Sequence, residues 1–506
     1  MVFDPKSGTS MISSQPLEAV KINKMPGRKS TDATPVKQKL KGRQRPSSTL
    51  WHLILVLGDV LLLIIVFGLL LVFHQVSQLS MSPFRIREVE LIWICLALVS
   101  WSLAVNMTQS QNLSYASNRF KGPCCAFFAL ALTCIFWAPL SYYLLDLQLM
   151  TVAGSELFFL GLAVPTFMIW RFLFAEIMGS PRFSHRAVIV GVNAAGETVA
   201  KELQNTKHSS ISILGFIDES TEERSYESGL SILGDRSMLQ YLVHKNMIDM
   251  IIVALTYGTN PDLFKEATDA VQLGISVLPM ALVYENSTGR IPVEHVNDQW
   301  YVALQPEHIL SPLYLAWKKC LDLACGILGL LLLGLVFPII APLIYLDSPG
   351  PIFYSQQRIG FRGKAFRIYK FRTMRPDAEG AGRAIWAAEA DKRITRVGRF
   401  LRATHIDELP QLFNILRGDM SLIGPRPERA EFNSELEKTI PFYGYRLAAK
   451  PGLTGWAQVK YHYARSGNDA LIKLQYDLYY IKRQSFMLDL FIILKTVAEV
   501  LSLRGA

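Results

Sequence analysis

The chemistry of this chain concentrates in Arg399 to Glu428, RFLRATHIDELPQLFNILRGDMSLIGPRPE. Two adjacent carboxylates, Asp407 and Glu408, lie among Arg402, Arg417 and Arg426. Pro410, Gly424, Pro425 and Pro427 supply bends. On its own an Asp-Glu pair is usually a solvated helix turn that adds little. Surrounding guanidinium groups change that reading. Arginine holds phosphate oxygens in a planar fork. One carboxylate can hold Mg²⁺ through oxygen ligands, and another can attack phosphorus to form an aspartyl-phosphate-type intermediate. The combination suits chemistry on a diphosphate.

The stretch closely resembles the signature of the bacterial sugar transferases, the polyprenyl-phosphate hexose-1-phosphate transferases that start exopolysaccharide and O-antigen repeat units. Further blocks stand in the family's order: SPGPIFYSQQRIG from Ser348, YKFRTM from Tyr369, KPGLTGWAQV from Lys450 and KLQYDLYYIKRQSFMLDL from Lys473. The resemblance is close over the C-terminal part, and the N-terminal half is similar to the long, polytopic branch. It implies that Asp407 is the nucleophile, that Glu408 is catalytic and holds Mg²⁺, and that Lys370, Arg372, Arg402 and Arg426 bind substrate phosphates. Asp477 and Asp489 match two further acids, with Asp477 the stronger substrate-binding candidate and Asp489 a helix anchor. The implied reaction moves hexose-1-phosphate, with glucose or galactose as the hexose, from UDP-hexose to polyprenyl phosphate with release of UMP. A homodimer in the bacterial inner membrane, with its catalytic domain in the cytoplasm, is also implied. After AQV, where many members continue Asn-Gly, this chain has Lys460-Tyr461-His462-Tyr463. That segment follows the shared core and could shape sugar choice; His462 reads as a surface histidine.

The elements that must position these groups begin with a basic tail. Residues 1–50 hold ten Lys/Arg against three Asp/Glu, are rich in Ser, Thr and Pro, and have no periodicity. The tail (1–49) therefore reads as a disordered cytoplasmic segment, too polar for a signal peptide. The net charge of +10 does not indicate nucleic acid. Positive charge before a membrane span marks the cytoplasmic side and attracts anionic headgroups. Six Cys lie in or beside apolar segments without metal-ligand spacing, as expected of buried small hydrophobes in a reducing compartment.

Half the residues are hydrophobic, and continuous apolar runs explain it. Four are long enough for the about 20 residues a span needs: roughly Trp51–Val72, Leu91–Met107, Cys124–Leu145 and Phe158–Ile177, a four-helix transmembrane region over 50–178. An even number of spans returns the chain to the cytoplasm at His185. Residues 184–283 alternate strand and helix, which means a Rossmann-like parallel α/β domain. Its turn Gly191-Val192-Asn193-Ala194-Ala195-Gly196 approximates a dinucleotide fingerprint, with Asp218 near the expected distance. Asn193 stands where the second glycine belongs, so a bound nucleotide is not required and no cofactor-binding residue is assigned.

A linker, 284–312, leads to a catalytic α/β domain, 313–506. Its apolar run Ala324–Leu346 is long enough to cross, but a crossing would put the site outside, away from cytoplasmic UDP-sugars. Pro338 and Pro342 interrupt the helical ladder. The expectation is a re-entrant helix over 315–347, broken near Pro338, in agreement with the family. Residues 357–402 carry thirteen Lys/Arg against four Asp/Glu, suited to headgroups and to substrate phosphates. Two other classes compete with the transferase. One is a membrane-tethered NAD-dependent nucleotide-sugar dehydratase or epimerase, suggested by the Gly191 turn and by Tyr241 and Lys245 at Tyr-x-x-x-Lys spacing. That pair comes too soon after the turn. The other is a non-enzymatic scaffold for polysaccharide assembly, which has no need of Asp407 and Glu408.

Overall fold

The computed structural model describes residues 48–77, 88–145, 149–178, 184–205, 211–219, 228–255, 260–296, 310–376, 393–461 and 467–502. Nearly all of the basic tail, His462 and Tyr463 lie outside the described residues.

Five helices are long and apolar enough to cross a membrane. Four, Ser48–Ser77, Glu88–Thr108, Lys121–Leu145 and Leu149–Met178, pack together. Their shared interior holds Phe67, Trp93, Trp101, Trp137, Phe159 and Phe167. The outward faces stay apolar, with Leu61, Ile64 and Leu157 exposed. Lipid is as apolar as such side chains, so close packing and polar contacts must hold the helices together. Trp93 donates to Ser141 Oγ at 3.0 Å, and Trp137 donates to the Trp93 carbonyl at 3.2 Å. Arg171 Nη2 pairs with Asp59 Oδ2 at 2.7 Å, and its Nη1 donates to the Ser110 carbonyl at 2.7 Å. Both side chains of the pair are fully buried, the condition under which intramembrane charges persist.

The next region is a five-stranded parallel sheet in the order β3-β2-β1-β4-β5, formed by His185–Val190 (β1), Ile211–Ile217 (β2), Ile232–Gly234 (β3), Met250–Val253 (β4) and Ser276–Pro279 (β5). The short β3 had no distinct apolar run to announce it. The turn after β1 is closed by the chain's own side chains. Asn193 Oδ1 accepts from Gly196 N at 2.9 Å, and Asn193 Nδ2 donates to the Ala254 carbonyl at 2.6 Å. Asp218 Oδ2 accepts from Val192 N at 2.7 Å. Asn193 thus caps the helix Ala194–Asn205, and Asp218 closes the turn before it. Tyr241 is exposed on the helix Arg236–His244.

The segment expected to be a linker begins as the helix Met280–Thr288. Glu285 on that helix is fully buried and accepts from Lys482 Nζ at 2.8 Å and Arg483 Nε at 3.0 Å. Trp456 donates to the Gly289 carbonyl at 2.9 Å. Residues 284–296 therefore bolt the parallel-sheet region to the C-terminal region. Trp456 is buried in that joint.

The C-terminal region is built on one long helix, Pro312–Asp347. Pro338 and Pro342 lie inside it, and the helix is not interrupted at either. The expected break is absent, for a packing reason. Phe337 stacks on Phe353 at 5.7 Å, and Ile340 and Ile344 are buried with Phe371 and Leu401. Near the other end, Lys318 Nζ donates to the Ile423 carbonyl at 3.0 Å, and Asp322 Oδ1 accepts from Leu422 N at 2.7 Å. Asp489 accepts from Tyr314 and Tyr480 hydroxyls, each at 2.9 Å, so it anchors this helix as expected. One stripe of the helix is therefore covered along its whole length, while Leu328, Leu331, Leu335 and Leu346 on other faces are exposed.

Against that stripe sit an antiparallel hairpin, Phe353–Ile359 (β6) and Ala365–Phe371 (β7), and the helix Gln411–Arg417. Ser421–Ile423 (β8) pairs in parallel with Gly452–Thr454 (β9). The expected C-terminal α/β content reduces to these two small sheets among helices. The loop after β8 crosses β9 at glycines. A Cβ on Gly452 would collide with backbone atoms of Gly424 and Thr454. We expect Gly452→Ala to destabilise the detergent-solubilised protein by about 1–3 kcal/mol, read as a lowered thermal unfolding midpoint. An unchanged midpoint would show that the crossing can open.

Candidate active site

The Asp407–Glu408 pair owes its position to a short helix and an unusual turn. Thr395 caps the helix Arg396–Ala403, its hydroxyl accepting from Gly398 N at 2.9 Å. The helix stops at Thr404, and His405 turns the chain with a φ of 58°. A left-handed backbone is costly for a residue with a Cβ and is held only where its surroundings demand it. The following one-turn 3₁₀ helix, Ile406–Glu408, carries both acids, and the helix Gln411–Arg417 follows from Pro410.

Three separate elements meet at Glu408. Lys370 on β7 donates from Nζ to Glu408 Oε1 at 2.6 Å. Arg426, in the loop after β8, donates from Nη2 to the same oxygen at 2.6 Å. Asp407 is buried, and among the described residues its carboxylate has no hydrogen-bond partner. Arg402 donates from Nε to Thr373 Oγ1 at 2.9 Å, which fixes its stem beside the pair.

Neighbouring acids are driven in opposite directions. Burial raises the Asp407 carboxyl above the ordinary aspartate value; Lys370, Arg402 and Arg426 oppose the rise and Glu408 adds to it. Burial alone would also raise Glu408. The Arg426 and Lys370 charges and their hydrogen bonds outweigh it and hold Glu408 well below the ordinary glutamate range. Glu408 is thus a fixed anion, and Asp407 is a desolvated carboxylate without a partner. Poorly solvated, unbonded oxygens are the more nucleophilic kind.

Other residues singled out by sequence fall elsewhere. Arg372 lies just past the end of β7, and its guanidinium donates to the Ser348 carbonyl at the end of the long helix. It clamps the hairpin to that helix; its Nε and Nη1 have no acceptor among the described residues. Arg417 is exposed at the far end of its helix, facing Asp419. Asp477 is buried behind the site and does not line it. It accepts from Arg446 Nη2 at 2.9 Å, and the same nitrogen donates to the Arg426 carbonyl at 2.9 Å. Asp477 therefore acts on the site through Arg446, which also donates to Tyr443 Oη at 2.6 Å. Arg446 was not visible as a site residue, because it lies between the recognisable blocks. Arg358 was also missed; it donates to the Pro427 carbonyl at 3.1 Å and holds the other side of the Arg426 loop.

The family described as bacterial sugar transferase matches residues 313–503, which contain every group just named. A UDP-glucose:undecaprenyl-phosphate glucose-1-phosphate transferase of Xanthomonas campestris is 31% identical over 330 residues, covering 63% of this chain and 67% of that protein. This chain belongs to the bacterial sugar transferase family. A UDP-N-acetylgalactosamine-undecaprenyl-phosphate N-acetylgalactosaminephosphotransferase of Aeromonas hydrophila is 42% identical over 46% of the chain, and the match spans 54% of that relative's length. A Bacillus subtilis protein named as a putative undecaprenyl-phosphate N-acetylgalactosaminyl 1-phosphate transferase is 48% identical over 27% of the chain and 75% of its own length. Residues 114–271 match a family described as a CoA-binding domain.

Two outcomes are expected of this sugar transferase. Lys370→Met removes the strongest cationic counterweight to burial at Asp407, so the acid limb of the pH–rate profile should move to higher pH; an unmoved limb would mean Asp407 does not set it. Asp477→Ala breaks the closest ion pair of buried Arg446 and leaves it only the Glu428 carboxylate at 3.9 Å, a loss of about 3 kcal/mol. Its thermal midpoint should fall sharply while the KM for the donor rises little; the reverse pattern would put Asp477 in the binding site.

Proposed function

We propose that this protein transfers hexose-1-phosphate from UDP-hexose to polyprenyl phosphate, the first membrane step of exopolysaccharide, O-antigen or capsule assembly. The observation that carries the reading is the split pair: Glu408 fixed as an anion by Lys370 and Arg426, with buried, unbonded Asp407 beside it. The names of the relatives support the reaction class, and they differ in sugar. Glucose and galactose are the donors to test first, with N-acetylgalactosamine third.

An Asp407 oxygen attacks the β-phosphorus of the UDP-sugar, and the bond from that phosphorus to the bridging oxygen breaks, releasing UMP. An aspartyl phosphosugar remains. A phosphate oxygen of the lipid then attacks the same phosphorus, the bond to Asp407 breaks, and polyprenyl-diphosphate hexose leaves. Arg402 and Arg426 hold the equatorial oxygens and neutralise charge that spreads over them. Glu408 fixes Lys370 and Arg426 in place. The ion we propose is Mg²⁺, which binds through one or two carboxylates plus substrate phosphates, and Glu408 is the carboxylate that would hold it. The two cationic contacts on Glu408 both end on Oε1, so Glu408 would keep carboxylate capacity to hold the ion. When bound, Mg²⁺ would offset diphosphate charge.

The long helix Pro312–Asp347 contacts the same catalytic body at both ends, which supports an unbroken helix lying in the cytoplasmic leaflet without a full crossing. We also propose a homodimer, on family resemblance alone.

The test is covalent capture. Incubated with UDP-sugar radiolabelled in the β-phosphate and no lipid acceptor, the wild-type protein should take up label and release an equivalent of UMP. Asp407→Asn keeps the shape of the side chain and removes the nucleophilic charge, so label should be lost while detergent-solubilised yield is kept. Substantial turnover by a purified Asp407→Asn protein would remove Asp407 from the role.

A further inference from the structure

The helix Arg396–Ala403 has one face that the mechanism above does not use. Its Gly398 and Leu401 are buried, and Leu401 packs with Ile340, Ile344 and Phe371. On the other side Arg396, Arg399 and Phe400 are exposed, Phe400 at 57%. Arg396, Arg399 and Arg402 recur every third residue, so neighbours in the series lie close on the helix surface. The series has definite ends. At the start, Val397 N donates to Asp347 Oδ2 at 2.8 Å, at the last residue of the long apolar helix. At the finish, Arg402 is one of the charges acting on Asp407. A helix rises 1.5 Å per residue, so Arg396 to Arg402 spans about 9 Å.

The surroundings identify the partner. Beside Asp347 the apolar helix exposes Leu343, Tyr345 and Leu346, the last at 78%. An exposed aromatic and aliphatic edge next to arginines is the surface that the boundary between headgroup and acyl chain accepts. Arg396 and Arg399 have no acidic partner among the described residues. Two exposed guanidinium groups at that level fit a phosphate monoester on a lipid: fork-shaped donors for its oxygens and an apolar edge for its tail.

We propose that Arg396, Arg399 and Phe400 form a docking strip for the lipid-borne phosphate acceptor, which delivers its phosphate along the helix to Arg402 and Asp407. The proposal rests on the transfer reaction above and adds where the second substrate binds. Bulk anionic phospholipid offers the same headgroup chemistry, so the experiment must separate the two.

Full-length protein in neutral detergent micelles is assayed twice, for label uptake from UDP-sugar without acceptor and for steady-state transfer with polyprenyl phosphate titrated. The Arg396→Gln/Arg399→Gln pair should raise the KM for polyprenyl phosphate about tenfold, as loss of charge-assisted contacts would, and should change label uptake less than twofold. The Arg396→Lys/Arg399→Lys pair keeps the charge and guards against misfolding; it should recover most of the loss. Phe400→Ser should raise the KM more for a long-chain acceptor than for a short-chain one. An unchanged acceptor KM in the glutamine pair overturns the strip, including the case where only its response to added phosphatidylglycerol changes, which would mark a headgroup site. Equal losses of label uptake and transfer also overturn it. Wild-type protein that releases no UMP overturns the transfer reaction, and the strip with it.

Discussion

Glu408 Oε1, held at 2.6 Å by both Lys370 and Arg426, is the contact on which the rest of the site depends. It joins three parts of the chain that no local rule brings together: the end of a hairpin, a single 3₁₀ turn, and a proline-bounded loop. A carboxylate taken out of water is costly unless cations and hydrogen bonds compensate it. Here two cations end on one oxygen, so the cost is met and the three parts are locked in register. Each cation is held in turn from behind. Lys370 lies on a strand whose register with β6 sets it opposite Tyr354. Arg426 sits in a loop whose carbonyls are taken by Arg358 and Arg446.

The same compensation explains how two acids next to each other in sequence can differ. Both are withdrawn from water, but only Glu408 receives the hydrogen bonds. Asp407 keeps part of the penalty of burial, because Lys370, Arg402 and Arg426 act on it through charge alone and Glu408 opposes them. The protein thus separates a bonded anion from an unbonded one by directing donors to one of them, and by placing Asp407 after a strained residue, His405.

Asp407, Glu408, Lys370 and Arg426 were legible in the sequence because their motifs are short and the residue types are uncommon in that company. The parallel sheet was legible from alternating apolar strands and helical stretches, apart from three-residue β3. The supporting shell was not. Arg446 reaches Asp477 and the Arg426 carbonyl across 31 and 20 positions, and Arg358 reaches Pro427 across 69. Spacing along the chain carries no trace of such contacts. Asp477 misled for a related reason: a buried acid in a recognisable block reads alike whether it binds substrate or an internal arginine. Glu285 was hidden in apparent linker because its partners, Lys482 and Arg483, lie almost two hundred residues on.

The long helix shows tertiary packing overriding a local signal. Pro338 and Pro342 each remove one backbone donor and crowd the preceding turn, so the run read as two halves. Two missing bonds are a small part of a 36-residue ladder, and the residues around them are among the most engaged on it. Phe337 stacks on Phe353, and Ile340, Ala341 and Ile344 are buried. The contacts that keep the helix whole also seat β7 on it, since Phe371 next to Lys370 packs in the same cluster. Arg372, one residue further, bonds the carbonyl of Ser348 where the helix ends. The helix that supplies the apolar surface is therefore the floor under Lys370, the lysine that holds Glu408. A site of charged groups beside an apolar surface needs the two in rigid contact, and here adjacent residues of a single strand provide it: Lys370 bonds Glu408 and Phe371 packs on the helix.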